Sequence, residues 1–175
     1  DAPLPPFFLP QSLMKVGIKI LIIRTPEQFK KEKEEFLSWI EDFGEYEKTV
    51  LKHYIDEEQI SVAPTESGLY RVYIKKGTGN TIETGYTIII NYEGKFLNGK
   101  IFDSTWKRNE PFSFIYGEEW QVVRGIEEAL HYMCEGDRAM FIVPSEMAFG
   151  SSGSSTGRIP PFTSVIFEIE VVSVK

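Results

Sequence analysis

Thr87-Ile88-Ile89-Ile90-Asn91-Tyr92 is a β-branched and aromatic run bounded by glycines, and Leu69-Tyr70-Arg71-Val72-Tyr73-Ile74 before it has the same character. Both read as strands. Further on, Met140-Phe141-Ile142-Val143 and residues 165–174 read as two more, the last alternating with Glu168 and Glu170 on its wet face. Gly77-Thr78-Gly79-Asn80 and Leu97-Asn98-Gly99-Lys100 supply turns, the second with an Asn-Gly pair suited to a tight hairpin. Within this half, only Ile126-Glu127-Glu128-Ala129-Leu130-His131-Tyr132-Met133 has a helical pattern. The expected fold class is therefore α+β: a twisted antiparallel sheet of about five strands wrapped on one short helix.

Upstream the period changes. Thr25-Pro26-Glu27-Gln28 has a capping threonine, a proline suited to the first helical position and a glutamine able to close a capping box. Phe29, Phe36, Ile40, Phe43, Val50 and Tyr54 then recur at helical spacing, with Gly44 expected to bend or break the helix. This stripe needs a cover, and a second copy of the chain and the chain's own sheet are equally open as partners. Pro3, Pro5, Pro6 and Pro10 make the start an extended tether. The expected organisation is a Pro-rich tether over 1–23, a helical extension over 24–64 and a sheet domain over 65–175.

The 175 residues suffice for one domain with an appendage. Nineteen basic against 26 acidic side chains give a net charge of −7, which argues against a nucleic-acid partner bound through phosphates. Most of the excess lies in 24–58, with 6 basic and 11 acidic residues. The apolar run at 18–23 is interrupted by Lys19 and far shorter than the roughly 20 residues of a membrane span. Cys134 is the single cysteine, which excludes an internal disulfide and a CxxC pair. His53 and His131 stand apart, so no metal or cofactor is expected. Gly77-Thr78-Gly79 lacks the third glycine of a dinucleotide loop, and Gly150-Ser151-Ser152-Gly153-Ser154-Ser155 lacks the Lys-Ser/Thr of a phosphate loop; the latter is expected to be mobile.

A series of short motifs remains. Asn91-Tyr92-Glu93-Gly94 is followed by Gly99-Lys100-Ile101-Phe102-Asp103-Ser104 and Arg108-Asn109-Glu110-Pro111-Phe112-Ser113-Phe114. Val122-Val123-Arg124-Gly125-Ile126-Glu127-Glu128, Glu135-Gly136-Asp137-Arg138-Ala139, Ala148-Phe149-Gly150 and Ile159-Pro160-Pro161 complete it. In this order and near this spacing the series resembles the FKBP-type peptidyl-prolyl isomerase domain, over residues 65–175. Thr65-Glu66-Ser67-Gly68-Leu69-Tyr70 resembles the lead-in of bacterial envelope members with an N-terminal helical extension.

The resemblance implies a peptidyl-prolyl cis-trans isomerase that works without a cofactor. It assigns catalysis to Asp103, Tyr92, Phe102 and Phe149, and substrate binding to Arg108, Phe112, Val122, Val123, Ile126, Ile159 and Phe167. The proline ring would enter among Phe102, Ile126 and Phe167, the Val123 N–H would hold a substrate carbonyl, and Tyr92 and Arg108 would orient Asp103 at the pocket edge. Three departures from the family pattern accompany it. Ile126 stands where a tryptophan floor is common, Phe149 where a tyrosine is common, and Arg158 where an aliphatic residue is usual; the loops at Trp120 and Thr156 are each one residue longer. The implied partners are proline-containing polypeptides, with weakened macrolide binding at the smaller floor and a homodimer through 24–58 as a further expectation. A non-catalytic proline-binding or chaperone module on the same fold is the alternative. The tether, the absent initiator methionine and the extension make a periplasmic or envelope-tethered placement the expectation, with the cytoplasm left open.

Overall fold

The computed structural model describes residues 25–28, 30–31 and 42–175. The tether over 1–23 lies outside these, as do Phe29, Phe36 and Ile40 of the apolar stripe. At 25–28 the capping box forms: the Thr25 N–H donates to Gln28 Oε1 at 2.9 Å, and the Gln28 N–H donates to Thr25 Oγ1 at 3.1 Å.

Residues 42–175 form one compact unit. It opens with α1, Phe43–Glu57, capped by Asp42, whose Oδ1 accepts from the Gly44 and Glu45 amides at 2.7 and 3.1 Å. Gly44, expected to bend or break a helix, thus sits in the first turn of one. Strands β1 (Tyr70–Lys75), β2 (Thr87–Phe96), β3 (Ile101–Ser104), β4 (Phe112–Ile115), β5 (Arg138–Val143) and β6 (Val165–Val174) make one antiparallel sheet.

The sheet has six strands in the order β1-β5-β6-β2-β3, with β4 also on β2. Glu93 and Gly94 of β2 face Ser104 and Asp103 of β3, whereas Thr87 to Ile90 face Ile115 to Phe112 of β4. Both short strands therefore lie along one edge of β2, as a single strand interrupted by the helical turn α2, Thr105–Arg108. That interruption is why five positions in the sheet hold six strands, and it places Asp103 and Arg108 side by side.

The helix α3 runs over Arg124–His131, two residues ahead of the 126–133 pattern. Val123 is extended and takes the cap position, its carbonyl accepting from the Ile126 and Glu127 amides. At the far end, the Tyr132 and Met133 amides close onto Ala129 and Leu130, and Cys134 then pairs with Thr81. Ile126, Ala129, Leu130 and Met133 bury against Ile88, Ile90, Phe141 and Ile169 to form the main core. On the opposite face, Ile55 of α1 packs on Ile142 and Ile166, flanked by Leu51 and Tyr54. Of the described stripe residues, Tyr54 joins this cluster, Phe43 stacks on Phe162 at 5.9 Å, and Val50 stays exposed. The chain's own sheet thus covers α1 along Glu47, Leu51, Tyr54 and Ile55, a face rotated from the 43/50/54 pattern.

Candidate active site

Between α3 and the β2–β3 edge the sheet opens into a cleft of about 400 Å³. Its walls are aromatic because Gly94 leaves room for them. A Cβ there would lie 2.4 Å from Phe102 Cε2 and 3.0 Å from Phe167 Cε1, so only glycine lets both rings stand over β2. Phe102 meets Phe167 edge to face at 5.8 Å and Phe149 at 6.4 Å, and Tyr92 meets Phe112 at 6.3 Å and Phe167 at 6.2 Å. These are the separations at which edge-to-face pairs are favourable. Ile126, from the first turn of α3, and Ile159 form an aliphatic floor, and both are buried.

Asp103 stands at the edge of this apolar space. Its Oδ2 accepts from the Tyr92 hydroxyl at 2.5 Å, and its Oδ1 accepts from the Ser104 amide at 2.9 Å and from Arg108 Nη1. The geometry is set by Thr105, which is fully buried: its Oγ1 accepts from the Tyr92 N–H at 2.8 Å and lies 3.2 Å from the Tyr92 carbonyl. Thr105 thereby ties α2 to β2, so that Tyr92 and Arg108 converge on one carboxylate. Burial pushes the Tyr92 phenol up, and its bond to Asp103 adds to the rise, so the hydroxyl stays protonated and donating. Asp103 and Arg108 are each 38% exposed, so solvent screens their attraction and the pairing serves orientation more than stability.

The cleft brings together Tyr92, Phe102, Asp103, Phe112, Val122, Val123, Ile126, Phe149, Ile159 and Phe167. Arg108, alone among the expected site residues, is not on its lining and reaches it through Asp103. The Val123 N–H precedes the first helical turn and has no protein acceptor among the described residues, leaving a donor at the cleft wall. Gln121, Ser154, Thr156 and Arg158 add polar groups to the lining, and Ile90 adds floor.

Gln121 was not legible as a site residue. Its side chain clips the backbone of Ile115 on both sides, Oε1 accepting from the N–H at 3.1 Å and Nε2 donating to the carbonyl at 3.3 Å. It is preceded by Trp120, 95% exposed and at φ 69°, on the lengthened loop. The Gly/Ser segment expected to be mobile is closed on itself: the Ser154 N–H donates to the Ile159 carbonyl at 2.9 Å, the Ile159 N–H to Ser154 Oγ at 2.9 Å and the Phe162 N–H to the Gly150 carbonyl at 3.0 Å. Among the described residues, no group of three or more His, Cys, Asp or Glu is arranged to hold a metal, and no helix is long and apolar enough to cross a membrane.

The polar groups on this otherwise apolar cleft are the Asp103 carboxylate at its edge, the Val123 amide, the Gln121 side chain, the Ser154 and Thr156 hydroxyls and the Arg158 guanidinium. Comparison with known proteins accords with this. The model of the family described as FKBP-type peptidyl-prolyl cis-trans isomerase matches residues 79–172. A probable FKBP-type peptidyl-prolyl cis-trans isomerase of Haemophilus influenzae is 35% identical over 113 residues, 65% of this chain and 45% of that protein. The chain thus spans less than half the length of that relative. The peptidyl-prolyl cis-trans isomerase FKBP1A of Xenopus laevis is 39% identical over 100 residues, 57% of this chain and 91% of that one. The crystal structure of FkpA from Escherichia coli superposes with a TM-score of 0.68 at 24% identity, covering 87% of this chain and 74% of that one, a likeness of fold.

Proposed function

This chain belongs to the FKBP-type peptidyl-prolyl cis-trans isomerase family, and from that premise we propose that it accelerates rotation about X-Pro bonds in folding proteins by binding the twisted amide in the aromatic cleft. The barrier, about 18–20 kcal/mol, comes from amide resonance that favours the planar form. No bond is broken, so the site needs only to bind the twisted amide better than either planar isomer. Twisting decouples nitrogen from carbonyl and lowers the amide's demand for water, which makes a dry aromatic cleft a better host for the transition state than for the ground state. Each 1.36 kcal/mol of such preference is tenfold in rate.

In this proposal the proline ring sits among Phe102, Ile126 and Phe167, and the Val123 N–H holds a neighbouring substrate carbonyl. Asp103 acts on the carbonyl as its dipole turns, and Phe149 closes the rim. The observation that carries the proposal is Asp103: a carboxylate held by Tyr92, Ser104 and Arg108 at the mouth of an otherwise apolar cleft. Such a fixed charge acts on a changing dipole at little cost in reorganisation.

Cis/trans exchange of an X-Pro peptide, followed by NMR exchange spectroscopy with wild type beside Asp103→Ala, tests it. Catalysis by wild type and a loss of about 10- to 100-fold in the variant, with unchanged melting, is the expected result. A variant as active as wild type would remove Asp103 from the mechanism. The second reading, a proline-binding or chaperone module without turnover, is favoured by the Ile126 floor, which offers a bound ring no aromatic face; a folded wild type that binds the peptide without exchange would establish it. The same floor supports weaker macrolide binding, since an aliphatic side chain replaces ring stacking. Envelope placement and dimerisation through 24–58 extend the proposal; much of that segment lies outside the described residues. Fractionation of the native host and concentration-dependent mass of the full chain decide these two points.

A further inference from the structure

Glu47 has no part in the chemistry above, yet it is a carboxylate buried to 9% exposure under the sheet. Oε1 accepts from the Ser145 N–H at 2.7 Å and from the Ser164 hydroxyl at 2.5 Å, and Oε2 accepts from the Ser145 hydroxyl. No cation shares it among the described residues. A buried charge is costly unless fully hydrogen-bonded, so this carboxylate is held by its three donors and holds them in turn.

What those donors belong to gives the site its meaning. Val143 pairs with Val165, so β5 and β6 end together and the connection between them leaves and returns at Ser145 and Ser164. That connection supplies Phe149, Ser154, Thr156, Arg158 and Ile159 to the cleft, one whole wall of it. Its first turn also bears on the floor. A Cβ on Gly125 would lie 2.3 Å from Val143 Cγ1 and 3.0 Å from the Met147 carbonyl, so the turn after Ser145 is wedged against the helix that carries Ile126. Phe43 of α1 stacks on Phe162 of the same connection at 5.9 Å.

We propose that Glu47 is a positioning residue for the isomerase cleft, clamping both feet of the 145–164 connection to α1 so that Phe149 and Ile159 hold their places opposite Phe102. The proposal rests on the cleft being the catalytic site. The helix ahead of the sheet domain is on this account a part of the active-site scaffold, not an appendage to it. Truncating Glu47 removes the hydrogen bonds at both feet, leaves the wall held by β5, β6 and its packing on α3 and Phe43, and loosens its contacts with bound substrate. Those contacts exist in both planar and twisted states, so their loss raises KM more than it lowers kcat.

The test uses the full chain well below its melting temperature, with X-Pro peptide exchange measured across peptide concentration. For Glu47→Ala, KM is expected to rise roughly tenfold with kcat within about twofold, since small misplacements at a site carry large penalties. Glu47→Gln keeps the length and one acceptor oxygen and should recover part of the loss. Lys52→Ala, on the exposed side of the same helix, should match wild type. A merely structural role would lower the folded fraction and hence apparent kcat with KM unchanged, and that result would overturn the proposal. Should Glu47→Ala not fold, Glu47→Gln and Ser164→Ala carry the same comparison. Amide hydrogen exchange keeps the clamp separable from the isomerase reading. If wild type proves inactive, the clamp stands only if the Ile159 and Phe162 amides exchange faster in Glu47→Gln while that of Ile88 does not, and it falls if they are unaffected.

Discussion

The two faces of the sheet are covered to different depths. Along β5 and β6 successive side chains point to opposite faces, so Phe141, Val143, Val165 and Phe167 enter the core beneath α3, while Ile142 and Ile166 meet Ile55 of α1. Among the described residues, the α3 face carries the cleft and most of the buried apolar side chains, and the buried apolar cluster on the α1 face consists of these three isoleucines, with half-buried neighbours around them. The difference is written along β6. Val165-Ile166-Phe167 is unbroken where both faces are covered, and alternation with Glu168 and Glu170 resumes beyond the reach of α1. An apolar run without alternation reports a second cover.

The sharpest way to break this comparison is to hollow out each face in turn. Phe141→Ala, on the α3 face and fully buried, should cost about 3–5 kcal/mol in urea denaturation. Ile166→Ala, on the α1 face, should fall at the lower end of the aliphatic range, about 2 kcal/mol, since a thinly covered site collapses more readily. Equal costs would show α1 to be as firm a cover as α3.

A smaller effect comes from pH at the cleft edge. The Tyr92 phenol is raised by burial and by its bond to Asp103. A folded value above the unfolded one means that protonation contributes stability fully present below the unfolded value, about pH 10, and lost as pH rises through the folded one. Exchange activity should therefore hold through the neutral range and decline only above about pH 10. A basic limb nearer neutrality would assign control to another group. The smallest effect is expected at Trp120, which touches neither face: Trp120→Gly relieves a left-handed backbone and should leave stability within about 1 kcal/mol of wild type, or slightly above it. A clear loss on melting would show that the ring packs against something.

Much of the cleft could be read from the chain because its residues lie in short motifs, each confined to one strand or turn. Phe102, Asp103 and Arg108 belong to one such stretch, and their convergence follows from a strand that breaks into a single helical turn and resumes. Thr105, which enforces that convergence, carries no signal in the sequence, because its hydroxyl bonds to a backbone separated from it by 13 positions. Ile90 lies in a run legible only as a strand, and Gln121 belongs to no motif; each reaches the cleft only through the tertiary fold. The face of α1 was misjudged for a simpler reason: Glu47, a charged residue, sits at the centre of the buried side and disguised Leu51 and Ile55 as a minor pattern.

The sequence by itself determined the class of fold, four of its strands and the aromatic character of the cleft, because period, turn residues and motif spacing are local properties of the chain; the order of the strands in the sheet, and β3 and β4 themselves, came with the tertiary structure. Only the tertiary structure decided what α1 is for. Glu47 finds its donors 98 and 117 positions away, and a carboxylate at such a distance is indistinguishable from a solvated one until folding removes the water around it and leaves the serines as its hydrogen-bond partners.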